Sequence, residues 1–113
     1  MTEQIITKRI NLPNLKHRVE EFCIKWKIVE LYFYGSVLRD DYRCDSDIDV
    51  MVTFEDKAGW SLFDLVEMNE GLETIFNRKV DLVTKKSVED SENWYIRKQV
   101  LDSSTLYYRA KAA

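Results

Sequence analysis

Residues 31–52 read LYFYGSVLRDDYRCDSDIDVMV, and this stretch decides the fold and the chemistry that we expect. An apolar run ends at Gly35 and Ser36, a charged and turn-prone segment follows, and Asp47 and Asp49 interrupt a second apolar run. Because side chains alternate between the two faces of a strand, Asp47 and Asp49 are predicted to share one face. The opposite face would carry Ile48, Val50 and Val52.

The paired carboxylates suit a divalent cation. Asp47 and Asp49 would lie about 6–7 Å apart along the strand, and Mg²⁺ is usually held by one or two carboxylates together with substrate phosphate oxygens. The run from Asp45 to Asp49 also imitates the start of a calcium-binding EF-hand loop. That alternative fails, because Val50 stands where the loop needs glycine and Asp56 stands where it needs glutamate.

The turn between the two apolar runs has the residues of a phosphate site. Glycine at position 35 allows a sharp turn and a close approach by a ligand, and Ser36 can cap a short helical turn over residues 37–39. Arg39 can add a charge-assisted bond to a phosphate, or form a surface ion pair with a neighbouring aspartate. The sequence therefore predicts a phosphate cradle that is followed closely by metal carboxylates.

A third carboxylate, Asp81, breaks the apolar run of a predicted strand at residues 79–84. If this strand lies beside the one that carries Asp47 and Asp49, the three side chains can meet. The alternative is an ordinary charge on an edge strand. The residues alone leave both interpretations open.

Length and composition are typical of a small globular protein. The chain has 113 residues, 45% of them hydrophobic and 33% charged, which predicts one domain over residues 1–113. No apolar run is long enough to cross a membrane, so a cytoplasmic protein is expected. The net charge of −3 is compatible with a small nucleotide held through Mg²⁺, but it argues against an extended nucleic acid as partner.

Hydrophobic periodicity predicts alternating helices and strands. Apolar spacing predicts a helix over residues 13–26, and β-branched and aromatic residues predict strands over 28–34, 47–54, 79–84 and 105–109. Two Ser-x-x-Asp patterns, at Ser61 and Ser87, are typical of helix starts. Trp94 and Tyr95, on the helix expected to end near residue 102, are predicted to pack in the core. The fold class is therefore α/β (α+β), with a compact mixed sheet of about four strands and helices packed mainly on one side.

The order of these motifs carries a resemblance. Gly35-Ser36, Arg39 and the run Asp45-Ser46-Asp47-Ile48-Asp49 resemble the GSxxR…DSDID signature of the minimal nucleotidyltransferases, in the DNA polymerase β-like superfamily. Two departures, Asp40 for a frequent glycine and Cys44 for a frequent proline, fall in the connecting loop. The signature occupies residues 35–49, and the third carboxylate of the superfamily corresponds to Asp81.

The resemblance implies transfer of a nucleoside monophosphate from a nucleoside triphosphate to a hydroxyl, with release of pyrophosphate. Asp47, Asp49 and Asp81 would be the catalytic, metal-binding residues, holding two Mg²⁺ ions. Gly35, Ser36 and Arg39 would bind the triphosphate of ATP. Small members of the family resemble the antitoxin of a two-component module. This implies transfer of AMP to a tyrosine of a HEPN-domain ribonuclease toxin, and a homo- or hetero-oligomer.

Two other functions remain open from the sequence. The chain could be a non-catalytic antitoxin or binding module that masks its partner, against which the three intact carboxylates argue. It could also be a nucleotidyltransferase that acts on a small molecule, such as an aminoglycoside. The lack of a second domain to bind that acceptor argues against this alternative.

Overall fold

The computed structural model describes residues 6, 8–38 and 47–111, with the backbone alone at Ser36. The elements in chain order are α1 (Leu15–Lys25), β1 (Ile28–Tyr34), a 3-10 turn (Gly35–Leu38), β2 (Ile48–Phe54), α2 (Leu62–Phe76), β3 (Val80–Thr84), α3 (Lys85–Glu89), α4 (Trp94–Ser103) and β4 (Thr105–Arg109). None of the helices in these ranges is long and apolar enough to cross a bilayer.

The four strands form one mixed sheet in the order β3-β2-β1-β4. Strand β1 runs antiparallel to both β2 and β4, whereas β2 and β3 are parallel. A parallel pair needs a crossover between its strands, and α2 supplies it. The predicted α/β class with a mixed four-stranded sheet is therefore confirmed.

The core lies on one face of this sheet. Strand alternation sends Leu31 and Phe33 of β1 to the same side as Val50 of β2, and all three are fully buried. Helices α1 and α2 each contribute four buried side chains to this core, including Val19, Met68, Leu72 and Phe76. The ring of Phe33 packs edge-on against Phe76 and Tyr107, at centroid distances of 5.8 and 5.1 Å. The prediction that helices pack mainly on one side of the sheet is confirmed.

Helix α2 begins at the predicted Ser61 signal. The Asp64 N–H donates to Ser61 Oγ (3.3 Å), and the Ser61 N–H donates to Asp64 Oδ2 (2.9 Å). This reciprocal pair is a capping box, which satisfies two backbone donors at the helix start. The helix ends at Asn77, whose positive φ of 54° stops the helical repeat.

Two side chains of α2 cover the outer edge of β3. The backbone N–H of Val80 donates to Glu73 Oε2 (3.0 Å), and that of Leu82 donates to Asn69 Oδ1 (3.1 Å). Edge-strand N–H groups are otherwise open to pairing with another chain. The strand that carries Asp81 is thus fixed by α2 on one side and by β2 on the other.

The predicted helix start at Ser87 is wrong. Ser87 lies inside α3, where its N–H donates to the Oγ1 of the true N-cap, Thr84 (3.1 Å). Helix α4 is capped instead by Asn93, whose Oδ1 accepts from the N–H groups of Tyr95 and Ile96 (3.1 and 3.2 Å). A Ser-x-x-Asp spacing also fits within a short helix, so the pattern alone does not locate the cap.

The prediction that Trp94 and Tyr95 pack in the core is also wrong. Their exposed fractions are 64% and 57%, and α4 contributes no buried residue. Periodicity predicts that a segment is helical, but its buried face depends on what packs against it. Helix α4 packs on α3 rather than over the apolar face of the sheet.

The N-terminal segment contributes to the core. Ile6, Lys8 and Arg9 are helical, and the Ile10 N–H donates to the Ile6 carbonyl (2.7 Å). Ile6 and Ile10 are both buried in the core cluster. The segment is therefore part of the core.

Candidate active site

Three polar side chains form a row across the end of the sheet. Tyr34 of β1 pairs with Asp49 of β2, and Asp49 pairs with Asp81 of β3. Directly paired residues face the same side of a sheet, and neighbouring strands are about 4.8 Å apart. The parallel register therefore brings Asp49 and Asp81 side by side. The sequence predicted this arrangement on the condition that β3 lay beside β2.

Gly35 lies directly against one of these carboxylates. Its φ is +74°, in the region that glycine adopts without strain. A Cβ atom at this position would overlap Asp49 Oδ2 and lie 3.3 Å from Asp49 Cγ. The glycine is therefore needed both for the turn and for the space that the Asp49 carboxylate occupies.

Asp47 sits one residue before β2 and is exposed, while Asp49 is half-buried and Asp81 is exposed. The shared strand face was predicted for Asp47 as well, but β2 begins at Ile48. Within residues 6, 8–38 and 47–111, no three acidic, histidine or cysteine side chains are gathered into a ready-made metal site. What the structure assembles is the adjacent pair Asp49 and Asp81 beside Gly35.

The pKa of Tyr34 reflects the negative charges in this row. Its half-buried hydroxyl has a pKa raised well above the ordinary value, first by burial and then by the negative charges of Asp49 and Asp81. Burial disfavours the phenolate, and so does a neighbouring negative charge. Tyr34 therefore stays a neutral hydroxyl at the edge of an acidic site, a role that the sequence analysis did not assign to it.

The turn after β1 differs in detail from the prediction. It is a 3-10 turn that begins at Gly35, two residues earlier than expected, so Ser36 lies inside it rather than capping it. Val37 is fully buried, and its carbonyl accepts a hydrogen bond from Arg9 Nη1 (2.7 Å). The predicted phosphate ligand Arg39 and the signature loop 39–46 lie outside the described residues.

Arg9 is thus a site-supporting residue that the sequence analysis missed. It lies 28 positions before the carbonyl that it binds, and no local pattern links the two. The same holds for Glu73 and Asn69, which hold the strand of Asp81 from helix α2. Long-range contacts of this kind leave no periodic signal in a sequence.

Comparison with known proteins identifies the family of the chain. Residues 15–107 match the family model of the nucleotidyltransferase domain. A Methanocaldococcus jannaschii protein, named a protein adenylyltransferase, is 38% identical over 76 residues, which cover 67% of this chain and 73% of that protein. The protein adenylyltransferase MntA of Thermococcus cleftensis is 35% identical over 70 residues, covering 62% of this chain and 69% of MntA.

Solved structures share the fold. A minimal nucleotidyltransferase superposes with a TM-score of 0.61 at 30% identity, over 80% of this chain and 86% of that one. A toxin–antitoxin crystallised with AMP-PNP gives a TM-score of 0.65 at 19% identity, over 85% and 74% of the two chains. A complex of a tri-AMPylated Shewanella oneidensis HEPN toxin with an MNT antitoxin gives a TM-score of 0.59 at 19% identity, over 85% of this chain and 71% of that one. Because the family model matches residues 15–107 of the chain, which is most of its length, the chain belongs to the nucleotidyltransferase domain family.

Proposed function

We propose that this nucleotidyltransferase transfers AMP from ATP to a tyrosine hydroxyl of a HEPN-domain toxin and thereby acts as its antitoxin. The observation that carries the proposal is the in-register pair Asp49 and Asp81 beside Gly35. Relatives named protein adenylyltransferases support the reaction. Fold neighbours that include a HEPN toxin complex support the partner. We further propose that the whole chain, residues 1–113, forms one such domain.

The phosphate end of ATP would bind at the turn after β1. Gly35 gives this turn its positive φ of +74°, and glycine adopts that sharp backbone turn without strain. The signature assigns the Ser36 hydroxyl and the Arg39 guanidinium to the same phosphates, through a hydroxyl bond and a charge-assisted bond. Arg9 supports this turn through the Val37 carbonyl.

The donor set fits Mg²⁺. Carboxylate oxygens are the ligands that this hard cation prefers, and the Asp49 carboxylate lies directly beside Gly35, at the turn to which the signature assigns the phosphates. Asp47, Asp49 and Asp81 would hold the metal, with two ions expected. When bound, Mg²⁺ supplies stabilisation of the negative charge on the phosphate oxygens.

The proton of the acceptor can pass to Asp81. Its carboxylate is exposed, so a hydroxyl on a protein surface can reach it. As the acceptor oxygen bonds to the α-phosphorus, the bond from that phosphorus to the β-phosphate oxygen breaks and pyrophosphate leaves. The hydroxyl proton goes to Asp81 if this carboxylate acts as general base. If Asp81 instead holds the second Mg²⁺, that ion would lower the pKa of the hydroxyl, and the proton would pass to solvent. Binding both reactants beside these groups lowers the entropic part of the barrier.

The test is the intact mass of a HEPN-domain partner after incubation with this protein, ATP and Mg²⁺. We expect mass to increase in steps of one AMP with the wild-type protein. Asp49→Asn and Asp81→Asn should abolish the increase while the partner still binds. Asp56→Asn removes an exposed carboxylate from the opposite end of β2, and this control should transfer AMP normally.

The outcomes separate the competing functions. A tight complex with no added mass would favour the non-catalytic binding module over the transferase. If the HEPN partner gained no mass and formed no complex, but ATP were consumed in the presence of aminoglycosides, a small-molecule acceptor would be favoured. Loss of folding in Asp49→Asn, measured by circular dichroism, would show that this carboxylate is structural.

A further inference from the structure

A lysine ammonium lies on the face of the sheet opposite the core, which also carries the row of Tyr34, Asp49 and Asp81. Lys85 follows β3 directly, and its Nζ reaches the hydroxyl of Tyr32 on β1 at 3.5 Å. The same atom lies 5.1 Å from the centroid of the Tyr32 ring. Because β2 separates β3 from β1, the Lys85 side chain crosses this open face of the sheet.

Tyr32 places the ammonium close to the row. It precedes Tyr34 by two residues on β1, so the two side chains share the open face about 7 Å apart along the strand. Met51 pairs with Tyr32 and is fully buried, although it points away from the core. The apolar stem of a lysine can cover such a side chain while its ammonium stays accessible. Lys85 is accordingly half-buried.

The charge of Lys85 is not balanced by its neighbours. The Tyr32 hydroxyl accepts from Lys85 and donates to Glu30 Oε1 (2.9 Å). Glu30 pairs in turn with Arg109 (3.1 Å), which neutralises the glutamate. Across the part of the chain that the structure describes, Lys85 forms no ion pair. An ammonium has more donors than the Tyr32 hydroxyl can take, so Lys85 can also bind an anionic ligand.

We propose that Lys85 binds an anionic group of the acceptor, beside the hydroxyl that receives AMP. The proposal rests on the proposed function, in which the triphosphate lies at the turn after β1. Along β1 the order is Tyr32, Tyr34 and Gly35, so the row separates Lys85 from that turn. In an in-line displacement the entering oxygen lies opposite the leaving oxygen. Pyrophosphate leaves on the Gly35 side, and the acceptor therefore enters from the Lys85 side of the row.

Two groups on the acceptor have the required charge and reach. Side chains two residues apart in an extended segment lie about 7 Å apart on one face, so a carboxylate near the acceptor tyrosine matches the separation of Lys85 from the row. The phosphodiester of an AMP that has already been transferred is also anionic, and it lies close to ribose hydroxyls that can accept another AMP. Either group would form a charge-assisted hydrogen bond with the ammonium.

The test measures AMP transfer to a HEPN-domain partner by intact mass, with the acceptor and ATP varied in turn. Lys85→Met keeps an apolar stem and removes the charge. We expect it to raise the KM for the acceptor about tenfold, because a hydrogen bond to a charged group contributes about that factor or more. The KM for ATP should not change, and Lys85→Arg should recover most of the loss.

The neighbouring lysine provides the matched control. Lys86 is exposed and lines a cavity at the other end of β2, with Phe54 and Glu55. Lys86→Met removes the same charge from the same helix, away from Tyr32, and should leave both KM values normal.

The order of the mass additions identifies the anion. A slower first addition would assign it to a carboxylate of the partner, whereas a normal first addition with slower later ones would assign it to the AMP already transferred. In about 1 M salt, where the screening length falls to about 3 Å, the difference between wild type and Lys85→Met should shrink for either source. A purely structural role of Lys85 would not give this salt dependence.

An unchanged KM for the acceptor in Lys85→Met, at every addition, would overturn the proposal. So would a raised KM for ATP, or an equal effect of Lys86→Met. The proposed function would stand in each of these cases, because the wild-type protein would still transfer AMP. If the wild-type protein transferred none, the proposed function would fail and this proposal with it.

Discussion

The contact between Gly35 and Asp49 yields the sharpest test of the site. In Gly35→Ala, the new Cβ atom would overlap Asp49 Oδ2 and lie 3.3 Å from Asp49 Cγ. The alanine would also have to adopt the glycine φ of +74°. The substitution therefore combines backbone strain with displacement of a proposed metal ligand.

The structure supplies a control that separates these two effects. Gly59 also has a positive φ, +64°, but a Cβ there meets only the Lys57 carbonyl oxygen, at an ordinary 3.8 Å. Left-handed strain costs an L-residue about 1–2 kcal/mol, so Gly59→Ala should lose that amount alone. Rotating the Asp49 side chain off its rotamer adds about 0.5–1.5 kcal/mol, so Gly35→Ala should be less stable by about 1 kcal/mol more.

The activity should respond more strongly than the stability. A displacement of about 1 Å in a reacting group can cost about a hundredfold in rate, so AMP transfer by Gly35→Ala should fall by about that factor. Gly59→Ala should transfer normally. Urea unfolding gives the free energies, and intact mass of the partner over time gives the rates.

A double-mutant cycle completes the test. In an Asp49→Ala background the clash is absent, so Gly35→Ala should then cost no more than Gly59→Ala. The coupling energy expected for such contacting residues is about 0.5–3 kcal/mol. Equal stability of Gly35→Ala and Gly59→Ala in the wild-type background, with transfer intact in both, would refute the reasoning.

Three further predictions concern the support of the site and the core. Ser61→Ala removes the α2 cap and should lower the free energy of unfolding by about 1 kcal/mol in urea; no change would mean that the capping box is absent in solution. Arg9→Ala deprives the Val37 carbonyl of its donor and should cost about 1–2 kcal/mol and slow transfer, with partial recovery in Arg9→Lys; full activity in Arg9→Ala would contradict a supporting role. Burial raises the Cys23 pKa to about 12, so at pH 8 the thiol stays protonated. In a Cys44→Ser background it should react with Ellman's reagent only after unfolding, and rapid reaction of the native protein would contradict its burial.

The local parts of the fold were predictable from the residues. The strand expected over 28–34 is β1 with the same bounds, because β-branched and aromatic residues make up most of the run that ends before Gly35. The alternation after Asp47 correctly sends Val50 to the core and Asp49 to the other face. The Ser61 cap was visible because its partner lies three residues away.

The remaining features depend on distant partners. Asp81 could join Asp49 only if β3 lay parallel to β2 in one particular register, and that is a property of the assembled sheet. Trp94 was placed in the core because aromatic residues usually are, whereas α4 lies beside the sheet and leaves the ring exposed. The role of Arg39 stays a prediction, because it falls outside the described residues.

The shared register of β2 and β3 ties the geometry of the proposed catalytic site to folding itself. Between the pairs Asp49–Asp81 and Met51–Val83 lies the pair Val50–Leu82, and Val50 is fully buried. A slip of β2 by one residue would turn Asp49 into the core and Val50 to the opposite face of the sheet. Burying that carboxylate would cost several kcal/mol, a large part of the stability of a small domain. Folded molecules with a misaligned site would therefore be rare, and core mutations should change how many molecules are active rather than how well each one works.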